Sequence, residues 1–238
     1  MSALLRTAAV VLRRVDYGEA DRVVTLLTES HGKVTTLARG ARRSKQRFGS
    51  ALEPFGLSQV GLVLGRGSLA TLREATPLRA FPALLGRLAA MRAAGLAIER
   101  TRELLPDRHP EPAIFHTYVE LFESLTAAAD ESALELAFLL RTLSLLGLPP
   151  RLTSCARCGK LRGTRPGTFT AGMGGVVCQS CGGGPLLLSH EVLTAMETAL
   201  GPEWASVAFG ADASDAAVAV DQFVEWHLRS GRGLPRGS

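Results

Sequence analysis

Residues 7–38 read TAAVVLRRVDYGEADRVVTLLTESHGKVTTLA, and this stretch decides the fold of the N-terminal part. Val, Leu and Thr alternate with polar residues in three runs, which is typical of half-buried strands: Thr7–Val15, Arg22–Thr28 and Lys33–Ala38. Asp16-Tyr17-Gly18 and His31-Gly32 separate these runs, and glycine suits a turn because it tolerates a positive φ. The stretch therefore predicts three antiparallel strands.

The same alternation continues to about residue 77. Leu52–Leu64 and Leu69–Thr76 are two further runs, separated by Gly65-Arg66-Gly67, and the connection Arg39–Ser50 is longer than the other three. Five short strands at this spacing favour a closed barrel, most often the oligonucleotide-binding (OB) fold. An SH3-like barrel and an open meander stay as alternatives.

After Phe81-Pro82 the apolar spacing changes to that of helices, which we predict at 84–105, 114–125, 132–146, 189–200 and 214–230. The third is apolar on nearly every side, so we expect it at the centre of a bundle. Ser214 is the expected cap of the last helix and Gly231 its end, and residues 232–238 are expected to fray. The predicted fold is α+β, with a barrel domain over 1–80 and a helical domain over 81–238.

The helical part contains two cysteine pairs, Cys155-x-x-Cys158 and Cys178-x-x-Cys181, with 19 residues between them. Each pair forms a knuckle that aims two sulfurs at one point, and four thiolates suit tetrahedral zinc. Two disulfides or a redox pair are the alternatives. We predict one structural Zn²⁺ in a module over 151–185, without catalysis, because four thiolates leave no coordination position for water.

Positive charge is concentrated at the N-terminal end. Residues 1–80 hold 13 Lys or Arg against 6 Asp or Glu, while the rest of the chain has a net charge of −2. An excess of this sign favours nucleic acid first and an anionic membrane surface second. No apolar run is long enough for a membrane span or a secretory leader, so we expect a cytoplasmic protein.

The densest positive charge lies in the long connection of the predicted barrel. Five cations and no acid occur within nine residues, which we call the basic segment: Arg39, Arg42, Arg43, Lys45 and Arg47. Such a segment is suited to a phosphate backbone, and Lys33 on the preceding strand extends it. Phe48 is expected in the barrel core more often than stacked on a base, and a solvated loop without a ligand is the simpler alternative.

Sequence motifs for catalysis are absent. The chain has no phosphate-binding loop, no G-x-S-x-G and no H-E-x-x-H. We expect His116 and His227 to be ordinary surface or core residues, so we predict that the protein is not an enzyme.

Together these motifs resemble the bacterial DNA repair family RecO. The resemblance is carried by Asp16-Tyr17-Gly18-Glu19-x-Asp21-Arg22, His31-Gly32-Lys33, Ala38–Lys45, Phe48-Gly49 and Leu52-Glu53-Pro54-Phe55. Gly147-Leu-Pro149, Cys155-x-x-Cys158-Gly159 and Gly174-Gly175-x-x-Cys178-x-x-Cys181 are similar to the zinc module of the same family.

The resemblance implies a recombination mediator with an OB domain and a helical domain. Such a protein binds single- and double-stranded DNA, anneals complementary strands, and with RecR helps load RecA onto DNA coated by single-stranded DNA-binding protein (SSB). By resemblance, the DNA contacts fall on Lys33, Arg39, Arg42, Arg43, Lys45 and Arg47, and the zinc ligands on Cys155, Cys158, Cys178 and Cys181. OB barrels usually bind through loops 1-2 and 4-5, near Arg13, Arg14 and Arg66 here, whereas the basic segment is in loop 3-4.

Two rivals from other classes stay open. An RNA-binding, ribosome-associated module would also combine a barrel with a zinc ribbon, and a preference for RNA would favour it. A zinc-dependent enzyme would need a catalytic constellation that the spacing does not contain.

Overall fold

The computed structural model describes residues 3–65, 67–210 and 213–230. Its first five strands are β1 (Leu5–Tyr17), β2 (Asp21–Thr28), β3 (Gly32–Ala38), β4 (Gly56–Val63) and β5 (Leu69–Ala80). They close into a barrel in the order β1-β2-β3-β5-β4, with β4 paired to β1. β3 and β5 run parallel, and every other neighbouring pair in the barrel is antiparallel. The predicted OB-like barrel is therefore confirmed.

The barrel core follows from the period-two pattern. Along β3, buried residues alternate strictly with half-buried ones, because successive side chains of a strand point to opposite faces. Val24, Leu26, Leu62 and Leu72 fill the interior at 0–2 % exposure.

The predicted start of the fourth strand is wrong. β4 begins at Gly56, not Leu52. Leu52 is 1 % exposed and belongs to the barrel core, but it lies in a turn. Phe55 has φ 59°, a left-handed conformation that ends the turn and cannot continue a strand. Leu52 is buried although it lies outside the sheet, so its apolar side chain was mistaken for part of a strand.

Seven α-helices lie within the described residues: α1 (Lys45–Phe48), α2 (Pro82–Leu85), α3 (Leu88–Leu104), α4 (Pro112–Leu125), α5 (Glu131–Leu145), α6 (His190–Ala199) and α7 (Ala213–Ser230). The single helix predicted over 84–105 is wrong, because the structure divides it: α2 ends at Leu85, with Gly86 as its C-cap, and α3 begins at Leu88. Ser214 lies inside α7 and does not cap it. Gly231, the tail 232–238 and Arg66 are outside the described residues.

The prediction for the third long helix is confirmed by α5. Ala137, Phe138, Leu139 and Leu140 are four consecutive residues with no exposure, so the helix is buried on every side. It packs against α6, α7 and the 3-10 turn Trp204–Ser206. The ring of Phe138 meets the ring of Trp204 edge-on, with centroids 5.9 Å apart.

The cysteine region is a small sheet with two knuckles. β6 (Gly167–Thr170), β7 (Gly175–Val177) and β8 (Leu186–Leu188) form it in the order β7-β6-β8. Gly175 is required where β7 passes the backbone of Arg151, since a Cβ there would lie 2.1 Å from the Arg151 carbonyl oxygen. The N–H of Val176 donates to that oxygen at 2.8 Å.

By packing, the described residues divide into two compact units. One contains the chain up to Ala94 together with Leu105–Ala127, and the other contains Gly95–Leu104 together with the described residues from Ala128 onward. The predicted domain boundary at residue 80 stays a prediction, because packing does not show which parts fold alone. None of the helices in the described part of the chain has the length and apolar character to cross a bilayer.

Candidate nucleic-acid interface and metal centre

The basic segment is an ordered turn followed by one turn of helix. Gly40, with φ 70°, reverses the chain after β3, and its carbonyl accepts hydrogen bonds from the N–H groups of Arg43 and Ser44 at 3.1 and 2.9 Å. The Ser44 hydroxyl then accepts from the N–H of Arg47 at 3.4 Å and caps α1. The structure thus brings Arg39, Arg42, Arg43 and Arg47 together between β3 and β4, with their side chains exposed.

Acidic residues of the β1–β2 turn face this segment, which the sequence analysis missed. We call Asp16, Glu19 and Asp21 the acidic turn. The Arg42 Nε lies 3.4 Å from the Asp16 carboxylate, and Arg43 lies 3.6 Å from that of Glu19. Two of the arginines are therefore partly neutralised by carboxylates from another strand connection.

Backbone hydrogen bonds fix the same arrangement. The N–H of Gly40 donates to the Asp21 carboxylate at 2.7 Å, and the N–H of Arg42 donates to the Ala20 carbonyl at 3.0 Å. The Arg42 guanidinium also donates to the Gly18 carbonyl at 3.1 Å. The β1–β2 turn and the basic segment accordingly form one surface.

The two remaining described arginines have no carboxylate partner within the described residues. Arg47 donates to the Arg39 carbonyl at 2.8 Å, and its guanidinium lies 5.2 Å from the ring centroid of Phe48. Arg39 is exposed. Both charges are available to an anion. Lys45 begins α1, and its side chain is outside what the structure describes.

An exposed aromatic residue that the sequence analysis did not single out lies beside the acidic turn. Phe48 is 1 % exposed in the barrel core, as expected, which removes it as a stacking platform. Tyr17 is 61 % exposed at the end of β1, next to Asp16 in the acidic turn. The only feature of the sequence that could have pointed to Tyr17 was its place in a predicted turn.

Lys33 lies in different surroundings from the arginines. Its side chain is 15 % exposed and its Nζ is 3.3 Å from the Asp107 carboxylate. The segment around Asp107 pairs with the start of β3, where the Arg108 N–H donates to the Lys33 carbonyl at 2.8 Å. Lys33 is therefore mostly covered, whereas the arginines of the basic segment are open to solvent.

On the usual OB face, one of the two described cations is paired with a carboxylate and the other is exposed. Arg14 pairs with Glu53 at 2.5 Å, and Arg13 is exposed.

His116 lies 3.2 Å from Glu29, and His227 bonds to the Phe223 carbonyl through Nδ1 at 2.9 Å.

The four predicted zinc ligands meet at one point. The Sγ atoms of Cys155, Cys158, Cys178 and Cys181 all lie within 4.8 Å of one another. The Cys158 and Cys178 sulfurs are 3.7 Å apart. Four sulfurs at the usual Zn–S distance of about 2.3 Å are separated by about 3.8 Å when tetrahedral, so this cluster fits zinc.

Electrostatics within the cluster favours a cation. The Cys178 N–H, 3.4 Å from the Cys155 sulfur, lowers the pKa of Cys155 to about 6. The side chain of Cys178 raises the pKa of Cys181 to about 12 through a hydrogen bond between the two thiols. Since thiolates this close repel one another, all four ionise together only when a positive ion lies between them.

Comparison with known proteins agrees with both halves of the chain. A family model described as "Recombination protein O N terminal" matches residues 1–81, and one described as "Recombination protein O C terminal" matches residues 85–234. A protein of Anaeromyxobacter sp. (strain K) named DNA repair protein RecO is 46 % identical over 181 residues, covering 76 % of this chain and 71 % of the relative.

Two further relatives with the same name span nearly the whole chain. The protein of Anaeromyxobacter sp. (strain Fw109-5) is 38 % identical over 245 residues, covering 96 % of this chain and 93 % of the relative. The protein of Streptomyces griseus is 35 % identical over 246 residues and covers 96 % of both. With an OB-like barrel, a four-cysteine cluster and these matches, the chain belongs to the RecO family of DNA repair and recombination proteins.

Proposed function

We propose that this protein is a DNA-binding recombination mediator that catalyses no reaction. It binds single- and double-stranded DNA, anneals complementary strands and, with RecR, helps load RecA onto DNA coated by SSB. Family membership supports the repair role, and the exposed basic segment supports the contact with DNA. We expect the protein in the cytoplasm at the nucleoid, where its substrate lies.

The observation that carries this proposal is the group of exposed arginines between β3 and β4. Guanidinium groups bind phosphate oxygens in a bidentate manner, and Arg39 and Arg47 are not paired with a carboxylate in the described residues. Arg42 and Arg43 exchange their carboxylate partners for phosphates. Lys45 and Lys33 complete the set, with Lys33 contributing least because it is covered.

The chemistry of this surface supports the proposed annealing. Two strands approach each other only when the repulsion between their phosphates is reduced, and a row of cations supplies that. Contacts to phosphate carry no sequence information, so binding is independent of sequence. Tyr17 offers an exposed ring on which an unpaired base can stack.

The four cysteines hold one structural Zn²⁺, which orders residues 151–185. The support is the spacing of the sulfurs and the absence of a fifth position for water in a four-thiolate site. We assign DNA binding to residues 1–80 and the helical domain with its zinc module to residues 81–238.

Binding of single-stranded DNA by a variant with Arg42, Arg43 and Arg47 changed to Ala tests the proposal. Each cation that meets a phosphate of a single strand contributes about −0.7 to the slope of log K against log salt. We therefore expect the slope to flatten by about 0.7 through Arg47 and by up to about 0.7 more through each of Arg42 and Arg43, whose carboxylate partners offset part of their contribution. Binding of all sequences is expected to weaken alike, and annealing is expected to slow.

The matched control changes Arg73, Arg92 and Arg229 to Ala, because these are exposed cations outside the basic segment. It alters net charge equally and is expected to bind nearly as the parent does. Equal losses in both variants would contradict the proposed site. Tighter binding of RNA than of DNA in a competition assay would favour the alternative, an RNA-binding, ribosome-associated module.

A further inference from the structure

The cysteine region has a charge of its own that the net charge of the C-terminal part conceals. Residues 151–185, the zinc module, contain five Lys or Arg and no Asp or Glu. A zinc ion with four thiolates contributes −2, which leaves the module at +3. This excess lies outside the barrel and is not used by the proposed DNA site.

Most of these cations have no carboxylate partner in the described residues. Arg151, Arg157, Lys160 and Arg165 are exposed. Among the described residues, Arg157 donates to the Cys181 carbonyl at 3.1 Å and Arg165 to the Arg162 carbonyl at 3.4 Å. In the barrel, by contrast, Arg42 and Arg43 already face acids. The positive charges of the module are therefore less neutralised by carboxylates than those of the basic segment.

The fifth cation, Arg162, has a structural role. Its side chain is 7 % exposed and lies 2.8 Å from the Glu197 carboxylate. It also donates to the Arg165 carbonyl at 2.7 Å. Arg162 thus fixes the backbone from which Arg165 projects.

An open cavity of about 530 Å³ lies among these cations, beside Cys155 and Cys178. Lys160 and Arg165 line it together with Leu161, Pro166 and Leu187. Leu161 is 73 % exposed and Leu187 is 63 % exposed, which is unusual for two leucines at one site. The size is typical of a ligand site, and the walls combine apolar surface with positive charge.

We propose that the zinc module is a second binding surface for single-stranded nucleic acid, with phosphates on its cations and an unpaired base against Leu161 and Leu187. This inference rests on the proposed DNA-binding function and adds a site to it. Arg151 and Arg157 do not line the cavity, so positive charge extends beyond it, as a repeating phosphate backbone requires. A short acidic peptide needs charge only at the cavity itself.

A duplex hides its bases from this surface, whereas a single strand exposes them. The module therefore binds a single strand better than a duplex. With the barrel holding one strand and the module another, one molecule carries both partners of an annealing reaction.

The test uses the full-length, zinc-loaded protein with Lys160 and Arg165 changed to Gln, and a fluorescent oligo-dT probe. The control changes Arg92 and Arg229 to Gln, which removes the same charge elsewhere. Loss of two phosphate contacts reduces the slope of log K against log salt by about 1.4. Raising the salt concentration from 50 to 200 mM then lowers the affinity by a factor about seven times smaller than in the parent protein. Zinc content and melting temperature are measured for each variant.

The change is then combined with the Arg42, Arg43 and Arg47 variant of the barrel. We expect that barrel variant alone to keep residual oligo-dT binding, which is lost when Lys160 and Arg165 are changed too. Changing Leu161 to Ser is expected to weaken oligo-dT binding and leave duplex binding unchanged. If the Lys160 and Arg165 variant loses zinc, the Arg151→Gln variant replaces it, because that residue lies outside the cavity and the knuckles.

Oligo-dT binding equal to that of the control would overturn the inference. The inference would also be wrong if the Lys160 and Arg165 variant lost binding to a labelled peptide of alternating Asp and Leu but kept its oligo-dT binding, because the surface would then be a peptide site. Unchanged binding in the barrel variant would contradict the proposed function instead, because that variant leaves the module intact.

Discussion

Removing the acids that face the basic segment is expected to strengthen DNA binding. The perturbation is Asp16→Asn with Glu19→Gln, which keeps the size of both side chains. Asp16 pairs with Arg22 at 3.0 Å and with Arg42 at 3.4 Å, and Glu19 pairs with Arg43 at 3.6 Å. A phosphate that binds Arg42 or Arg43 therefore competes with these carboxylates for the guanidinium group.

The structure sets the magnitude. Two cations are released, and each contributes about −0.7 to the slope of log K against log salt for a single strand. The slope is therefore expected to steepen by up to about 1.4, with tighter binding at low salt. The cost to folding is small, because exposed ion pairs are worth about 0–1 kcal/mol each. Asp21 is left unchanged because its carboxylate holds the Gly40 N–H.

The assay is fluorescence anisotropy with oligo-dT over a range of salt concentrations. The control variant, Glu53→Gln with Glu74→Gln, changes net charge equally, and its acids pair with Arg14 and Arg6 of the barrel. If the control steepens the slope as much as the test variant, the effect comes from net charge and the reasoning about the acidic turn is wrong.

The remaining predictions concern stability and the metal. Phe138→Ala is expected to cost roughly 3–5 kcal/mol in urea unfolding, because the ring is fully buried; a parent-like midpoint would contradict the packing of α5. Burial raises the pKa of Glu135 to about 7, while Arg100 opposes and Asp221 adds to the rise. The folded state holds this proton more tightly than the unfolded chain, so stability falls as pH rises from about 4.5 to about 7, by on the order of 3 kcal/mol. Glu135→Gln is therefore expected to stabilise the protein at pH 8 and hardly at pH 4.5, and an equal gain at both would refute the assignment. Cys155→Ser is expected to lose the metal, measured by elemental analysis, while barrel-dependent DNA binding remains; zinc-free parent protein purified without chelators would contradict the site.

Local patterns in the sequence predicted much of the fold. Period-two alternation located β1, β2 and β3 to within a few residues, since the side chains of a strand alternate by covalent geometry. The C-x-x-C spacing predicted the sulfur cluster for a similar reason, because two residues suffice to form each knuckle. The charge of the basic segment could also be read from the sequence, because its five cations are close together in the chain.

Only the tertiary structure decided what faces these residues. Closure of the barrel brings the acidic turn onto Arg42 and Arg43, covers Lys33 with the segment around Asp107, and buries Phe48 while leaving Tyr17 exposed. Helix packing likewise buries Glu135, and this burial raises its pKa. These outcomes depend on strand register and on contacts between residues far apart in the chain. Periodicity reports which face of a strand or helix is buried, but it contains no information about which distant residue will lie against it.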